Sequence, residues 1–174
     1  VREHHNDVEL TCDVMFINKV PFVMSLSRKI MFGTSQCVRR RTGKSLLKAI
    51  KKAVNLYRGR DFNVTSLYMD HEFEPLRDLL KHNSDLKGAM LNTTSANEHV
   101  PEIERRIRVV KERVRADKAS MPYTYLPFLM IVELVNFTVM WLNVFPGKGS
   151  IGDISPCRLV IGTTLTYKDH CKCP

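Results

Sequence analysis

Three acidic residues far apart in the chain stand where a fold could gather them: Asp13 within an alternating stretch, Asp70 at the end of a β-rich run, and Glu104 one turn into a basic helix. Carboxylates brought together from distant segments repel one another unless a cation lies between them, and an all-oxygen set of that charge suits Mg²⁺ or Mn²⁺. Two such ions roughly 3.5–4 Å apart activate an attacking oxygen and stabilise the leaving oxygen of a phosphodiester. Each acid also has a plainer reading as a surface carboxylate. For Glu104 that reading is specific, because Glu102 and Glu104 suit the positive end of a helix dipole and precede Arg106 and Arg108 by one helical turn. Glu72, Glu98 and Glu102 compete for the same places.

Positioning such a set falls to the elements around it. From Val8 to Phe16 the residues alternate, with Val8, Leu10, Cys12, Val14 and Phe16 on one side and Glu9, Thr11, Asp13 and Met15 on the other, which is the period of a strand. Asn18 and Lys19 make a turn, after which Phe22 to Leu26 and Arg28 to Phe32 read as two further antiparallel strands closed by Gly33. Leu46, Leu47, Ile50, Ala53, Val54 and Tyr57 form the apolar stripe of a helix that ends at Gly59, with Lys44, Lys48, Lys51 and Lys52 outside.

Asn63 to Met69 is rich in β-branched and aromatic residues and leads directly into Asp70, then a short helix from Pro75 to Lys81, then a fifth strand from Lys87 to Leu91. The helix that carries Glu104 runs from Pro101 to Lys118, with Ile103, Ile107, Val110 and Val114 on one stripe and Arg105, Arg106, Arg108, Lys111, Arg113, Arg115 and Lys118 on the others. In the apolar run from Leu126 to Phe145, the spacing predicts Phe128, Ile131, Val132, Val135 and Val139 facing inward and Trp141 at a boundary. Strands first and alternating strands and helices afterwards imply an α/β fold with a mixed five-stranded sheet and helices on both faces. The expected division is a core over residues 1–145 and a loosely attached C-terminal extension over residues 146–174.

Lys and Arg number 27 against 18 Asp and Glu, and a net charge of +9 suits an anionic partner, nucleic acid before acidic membrane. Lys48, Lys51 and Lys52 on one helix and Arg105, Arg108 and Lys111 on another are the candidate phosphate contacts. With aromatics at only 8% of the chain, duplex backbone binding fits better than base stacking on single strands. Five scattered cysteines fit reduced thiols inside a cell, and the polar opening VREHHNDVEL has no secretion signal. The absence of an initiator Met suggests a segment of a longer product.

Three other patterns carry little. Pro127, Glu133, Asn136 and Asn143 within Leu126 to Phe145 argue for a buried helix rather than a membrane span. Arg39 to Leu47 contains Gly43-Lys44-Ser45 but has Val38 where a phosphate-binding loop needs its first glycine. His170, Cys171 and Cys173 are half of a zinc ligand set at best, and His4 and His5 suit a frayed end.

The segment LTCDVMFINKVPFVMSLSR around Asp13, YMDHEFEPL around Asp70 and PEIERRIRVVKERVR around Glu104 resembles the catalytic core of copia-type retrotransposon integrases, members of the ribonuclease-H-like fold. ISPCRLVIGTTLTY is similar to the Pro-bearing segment that follows that core, so the resemblance covers about Val8 to Tyr167. It implies that Asp13, Asp70 and Glu104, the last in a Glu-Arg pair with Arg105, are catalytic and hold Mg²⁺ or Mn²⁺. The implied reactions are 3′-end processing and strand transfer on DNA, with element ends and target duplex as partners. A homo-oligomer acting in the nucleus or in a cytoplasmic retroelement particle is also implied. Two loops depart from the family's pattern. Asp70-His71-Glu72-Phe73 lacks the usual Gly, and Asn97-Glu98-His99-Val100 replaces the usual Asn-Gly ahead of the Glu. Loss of catalysis in those loops would leave an integrase-derived nucleic-acid-binding or assembly module.

Overall fold

The computed structural model of the chain describes residues 6–81, 89–93, 101–146 and 151–163. Strands β1 (Asp7–Ile17), β2 (Val20–Ser27) and β3 (Gly33–Cys37) precede helix α1 (Gly43–Arg58) and strand β4 (Asn63–Met69). A 3₁₀ segment (His71–Leu76), α2 (Arg77–Lys81), β5 (Met90–Thr93), α3 (Pro101–Ser120), α4 (Phe128–Val144) and α5 (Pro156–Ile161) follow. The strands form one mixed sheet in the order β3-β2-β1-β4-β5, with β1 antiparallel to β2 and parallel to β4.

Both faces of that sheet are covered. On one, Val8, Leu10 and Cys12 meet Leu46, Ile50, Val54 and Tyr57 of α1. On the other, Met15, Phe22, Met24 and Leu26 meet Ile103, Ile107, Val110 and Val114 of α3 and Ile131, Val135 and Val139 of α4. The period-two alternation of β1 therefore divides two cores rather than core from solvent. The hairpin between β1 and β2 turns on Asn18 and Lys19, whose φ values of 49° and 65° give the left-handed pair that a two-residue turn needs.

The third strand is not where the sequence predicts it. Arg28 to Phe32 forms a wide turn with Met31 at φ 61°, and the strand is the polar run Gly33–Cys37. Ile30 and Phe32 are buried all the same, which is why their spacing imitates a strand, and Ser27 Oγ accepts from the Phe32 N–H at 3.0 Å. An edge strand needs ladder partners on one side only, so Thr34, Ser35 and Gln36 serve without much apolar character. The fifth strand begins at Met90 rather than Lys87, which lies outside the described residues.

At the start of β3, a Cβ on Gly33 would stand 2.9 Å from Met24 Cε, so a side chain there would require the flexible end of Met24 to move. The Gly33 N–H donates to Asn143 Oδ1 at 2.8 Å, and Asn143 Nδ2 donates to the Gly33 carbonyl at 2.7 Å. The amide of α4 thus takes the place of a neighbouring strand at this point of the open edge. Helix α5 is capped by the Ser155 side chain at its start and by Gly162 at φ 83° at its end. Leu159 and Val160 enter the α1-side core. Among the described residues no helix is long and apolar enough to cross a membrane.

Candidate active site

Asp13 and Asp70 reach the same end of the sheet because β1 and β4 are parallel neighbours. Thr11 pairs with Tyr68 and Cys12 with Met69, so one step further sets Asp70 beside Asp13, across a strand spacing of about 4.8 Å. Asp13 shares its face of β1 with Met15, the face on which α3 lies. Pro101 begins α3 and Ile103, Ile107, Val110 and Val114 hold it down, which leaves Glu104 exposed in the first turn.

Electrostatics tie the three acids together. Burial pushes the Asp13 carboxyl above its usual range and the charges of Asp70 and Glu104 push the same way, while the Val14 N–H, 2.6 Å from Oδ1, and the Lys111 ammonium oppose them. Asp70 and Glu104 are thus close enough to load Asp13 with repulsion, and Lys111 is the cation at hand. Among the described residues, however, no group of three His, Cys, Asp or Glu side chains stands close enough to hold a metal ion. The acids are neighbours rather than a closed ligand set. In kind they fit a hard divalent cation, which would remove the repulsion that Asp13 now bears.

The neighbouring thiol has no part in this chemistry. Cys12 is buried against α1, and burial together with the Asp13 charge pushes it up to about 12, so it stays protonated.

A carboxyl that is harder to ionise in the folded chain than in the unfolded one weakens the fold once it is charged. The penalty is absent below the ordinary value of 3.8, grows as pH rises through the raised value, and is complete above it. Asp13→Asn is therefore expected to raise the melting temperature at pH 7 and to leave it unchanged near pH 3. A variant no more stable than the parent at pH 7 would show that the Asp13 charge meets no such penalty.

The basic residues divide between the two faces. Arg108 is exposed on α3, Lys111 is half-buried beside Asp13, and Arg105 is exposed on the same helix. Lys48, Lys51 and Lys52 lie on α1, across the sheet from the carboxylates. Lys48 and Lys52 line a pocket of about 180 Å³ with Gln36, Arg39 and Ser45. Beyond Asp13 a second pocket, of about 290 Å³, is lined by Phe16, Asn18, Lys111, Arg115 and Lys118, and the spacing of Arg115 and Lys118 along α3 would have allowed both to be read as its members.

Two expectations about α3 are corrected. Arg106 is not on the outer basic face: it is half-buried, donates to Asn143 Oδ1 at 3.0 Å, and desolvation lowers its pKa to about 10. Glu102 does not turn to Arg106 but pairs with Arg28 at 3.2 Å, which removes it from competition with Glu104. Of the other competing acids, Glu98 lies outside the described residues, as does its loop, and nothing is described of the Glu72 side chain. His4, His5, His170, Cys171 and Cys173 lie outside as well.

Neither a protein-family model nor a curated protein matches the sequence. Among solved structures, the chain is similar to the catalytic core domain of BIV integrase in its crystal form I, with a TM-score of 0.59 and 17% identity over 94% of this chain and 97% of that one. The fold is that of a retroviral-type integrase catalytic core, which is ribonuclease-H-like. A shared fold hosts many activities, so the chemistry has to be argued from the site.

Proposed function

We propose that the chain is the catalytic core of a copia-type retroelement integrase that trims and joins DNA ends. The observation that carries this reading is the adjacency of Asp13 on β1 and Asp70 at the end of its parallel neighbour β4, with the Glu104 charge within reach of Asp13, in a chain with the integrase-core fold. Asp13 and Asp70 would hold Mg²⁺ or Mn²⁺ from two rigid parallel strands, and Glu104 would complete the set from the helix above them. When bound, the metal pair supplies activation of the attacking oxygen and stabilisation of the leaving one. Arg105, Arg108 and Lys111 would hold the backbone phosphates of an element end beside the acids. Lys111, whose charge acts on Asp13, would lie nearest of the three to the reacting phosphate.

The test is Mg²⁺- or Mn²⁺-dependent trimming and joining of duplex ends by the full-length protein, with Asp70→Asn as the control. Joining that needs both the metal and Asp70 supports the reading. DNA binding without metal-dependent joining assigns the chain instead to the integrase-derived binding or assembly module.

Lys48, Lys51 and Lys52 would meet DNA on the far side of the sheet, away from the chemistry. Lys48→Ala with Lys51→Ala is expected to weaken binding to all sequences alike and to lower the logarithmic salt slope by roughly 0.9 for each phosphate no longer neutralised. Joining should recover when DNA is raised above the weakened Kd. An unchanged salt slope would take α1 out of the DNA-binding surface.

Self-association is part of the same reading. Ile131, Val135 and Val139 of α4 are buried, but Phe128 is 39% exposed under Arg39, and Leu129 and Phe137 are 69% and 50% exposed. Leu129, Phe137 and Met140, with the Trp141 and Phe145 rings in file beside Phe137, form an apolar face of the kind that a second copy of the chain covers.

A further inference from the structure

Arg28 stands in the wide turn after β2 and touches three elements at once. Its N–H donates to the Glu9 carbonyl of β1 at 3.0 Å, and its Nη1 donates to Glu9 Oε2 at 3.4 Å. Nη2 donates to Glu102 Oε1 in the first turn of α3 at 3.2 Å, and the guanidinium lies 4.6 Å from the ring centroid of Tyr68 on β4. The other Glu102 oxygen is buried and has no partner, so the hold of that side chain on the sheet is through Arg28.

The position of this clamp matters because of what lies beside it. Helix α3 runs along β1 in the same direction: Glu102 is tied to Glu9 through Arg28, Lys111 lies beside Asp13, and Arg115 and Lys118 lie beside Phe16 and Asn18. A slip of one residue would turn the helix by about 100° and carry Glu104 off the face that meets Asp13. The apolar stripe presses α3 onto the sheet but is tolerant of small slides, whereas a planar group with fixed donor directions is not.

We propose that Arg28 is a positioning residue that clamps the first turn of α3 to β1 and β4 and so fixes the rotation at which Glu104, two residues on, is held on the same helix face as Lys111, toward Asp13. The inference rests on the carboxylate reading above for its functional consequence, and on the clamp geometry alone for its structural one. Arg28 and its two partners are each about a third exposed, so solvent screens the pairs and overall stability depends little on them. Their contribution is directional.

The experiment uses the full chain as the parent, with Arg28→Ala, Arg28→Lys, Glu104→Gln and the Arg28→Ala, Glu104→Gln pair. Amide hydrogen exchange is read at Arg105 to Arg108, whose bonds close the first turns of α3, and Mn²⁺ affinity is read by calorimetry. In Arg28→Ala, exchange at those amides should rise while the rest of α3 stays protected, with Arg28→Lys intermediate because one ammonium cannot serve Glu9, Glu102 and Tyr68 together. Mn²⁺ affinity should fall about tenfold, the size of effect seen when groups that orient metal ligands are removed. In the Glu104→Gln background the same substitution should cost no further affinity.

Unchanged exchange at the first turns overturns the clamp. An equal loss of Mn²⁺ affinity with and without Glu104, or no loss in the parent background, overturns its action through Glu104. If exchange responds but the parent shows no Glu104-dependent Mn²⁺ binding, the clamp is upheld and the metal reading falls.

Discussion

Glu104→Gln is expected to cut metal-dependent strand transfer by at least about a hundredfold while leaving DNA affinity within about twofold of the parent. The substitution keeps the length and helical preference of the side chain, and Glu104 is exposed, so the fold is not at stake. What disappears is one of the two charges that push Asp13 upward and, on the function proposed above, one oxygen ligand of full charge. Loss of that ligand weakens the stabilisation of charge at the phosphoryl oxygens, a term of several kcal/mol in metal-assisted reactions, with each 1.36 kcal/mol worth a factor of about ten. DNA binding should be spared, because on the same proposal the phosphate contacts come from cations elsewhere on the helix. End joining at the parent rate would return Glu104 to the role of helix trim and make Glu98 the acid to test.

Asn143→Ala should lower stability by about 3 kcal/mol or more, because the truncation strands three partners in one place. Gly33 would lose the acceptor of its N–H at 2.8 Å and the donor to its carbonyl at 2.7 Å, and Arg106 would lose its acceptor at 3.0 Å with its Nε already unpartnered. A buried donor or acceptor left unmet costs about 1–3 kcal/mol, more for a charged group. For a chain of this length the loss corresponds to roughly 6–12 °C in melting temperature. Asn143→Asp is a useful companion: it keeps an acceptor for Arg106 but sets a carboxylate against the Gly33 carbonyl, so it should also destabilise. If chemical denaturation places Asn143→Ala within about 1 kcal/mol of the parent, the strand-like pairing is not what holds β3 to α4.

Periodicity made most of the scaffold legible. Asn63–Met69 stands at its expected bounds, α1 and α3 follow their apolar stripes, and α4 follows its own at Ile131, Val135 and Val139 but not at Phe128, which is exposed, or at Val132, which is half-buried. The failures share a cause. The alternation Arg28 to Phe32 looks like a strand because Ile30 and Phe32 are buried, but burial from a turn leaves the same trace in sequence as burial from a strand. Conversely, Gly33–Cys37 has almost no apolar signal, since its place is fixed by hydrogen bonds.

At the site, the types of Asp13, Asp70 and Glu104 suggested the chemistry, but only the parallel pairing of β1 with β4 explains why two of them are adjacent. Spacing along a helix ranks Arg106 with the outer cations and Glu102 with the nearby arginines of the same helix. It is silent about Asn143 and Arg28, residues distant in sequence that claim them instead.

The one tryptophan of the chain sits in the middle of an aromatic file on α4. Phe137 meets its ring edge-on at 5.8 Å between centroids and Phe145 stacks on it at 5.7 Å, while the flanking rings stay half open to water. The indole emission of Trp141 is therefore an intrinsic gauge of that face, free of any other tryptophan signal. A blue shift and slower quenching by iodide as protein concentration rises would trace the covering of α4 without any label.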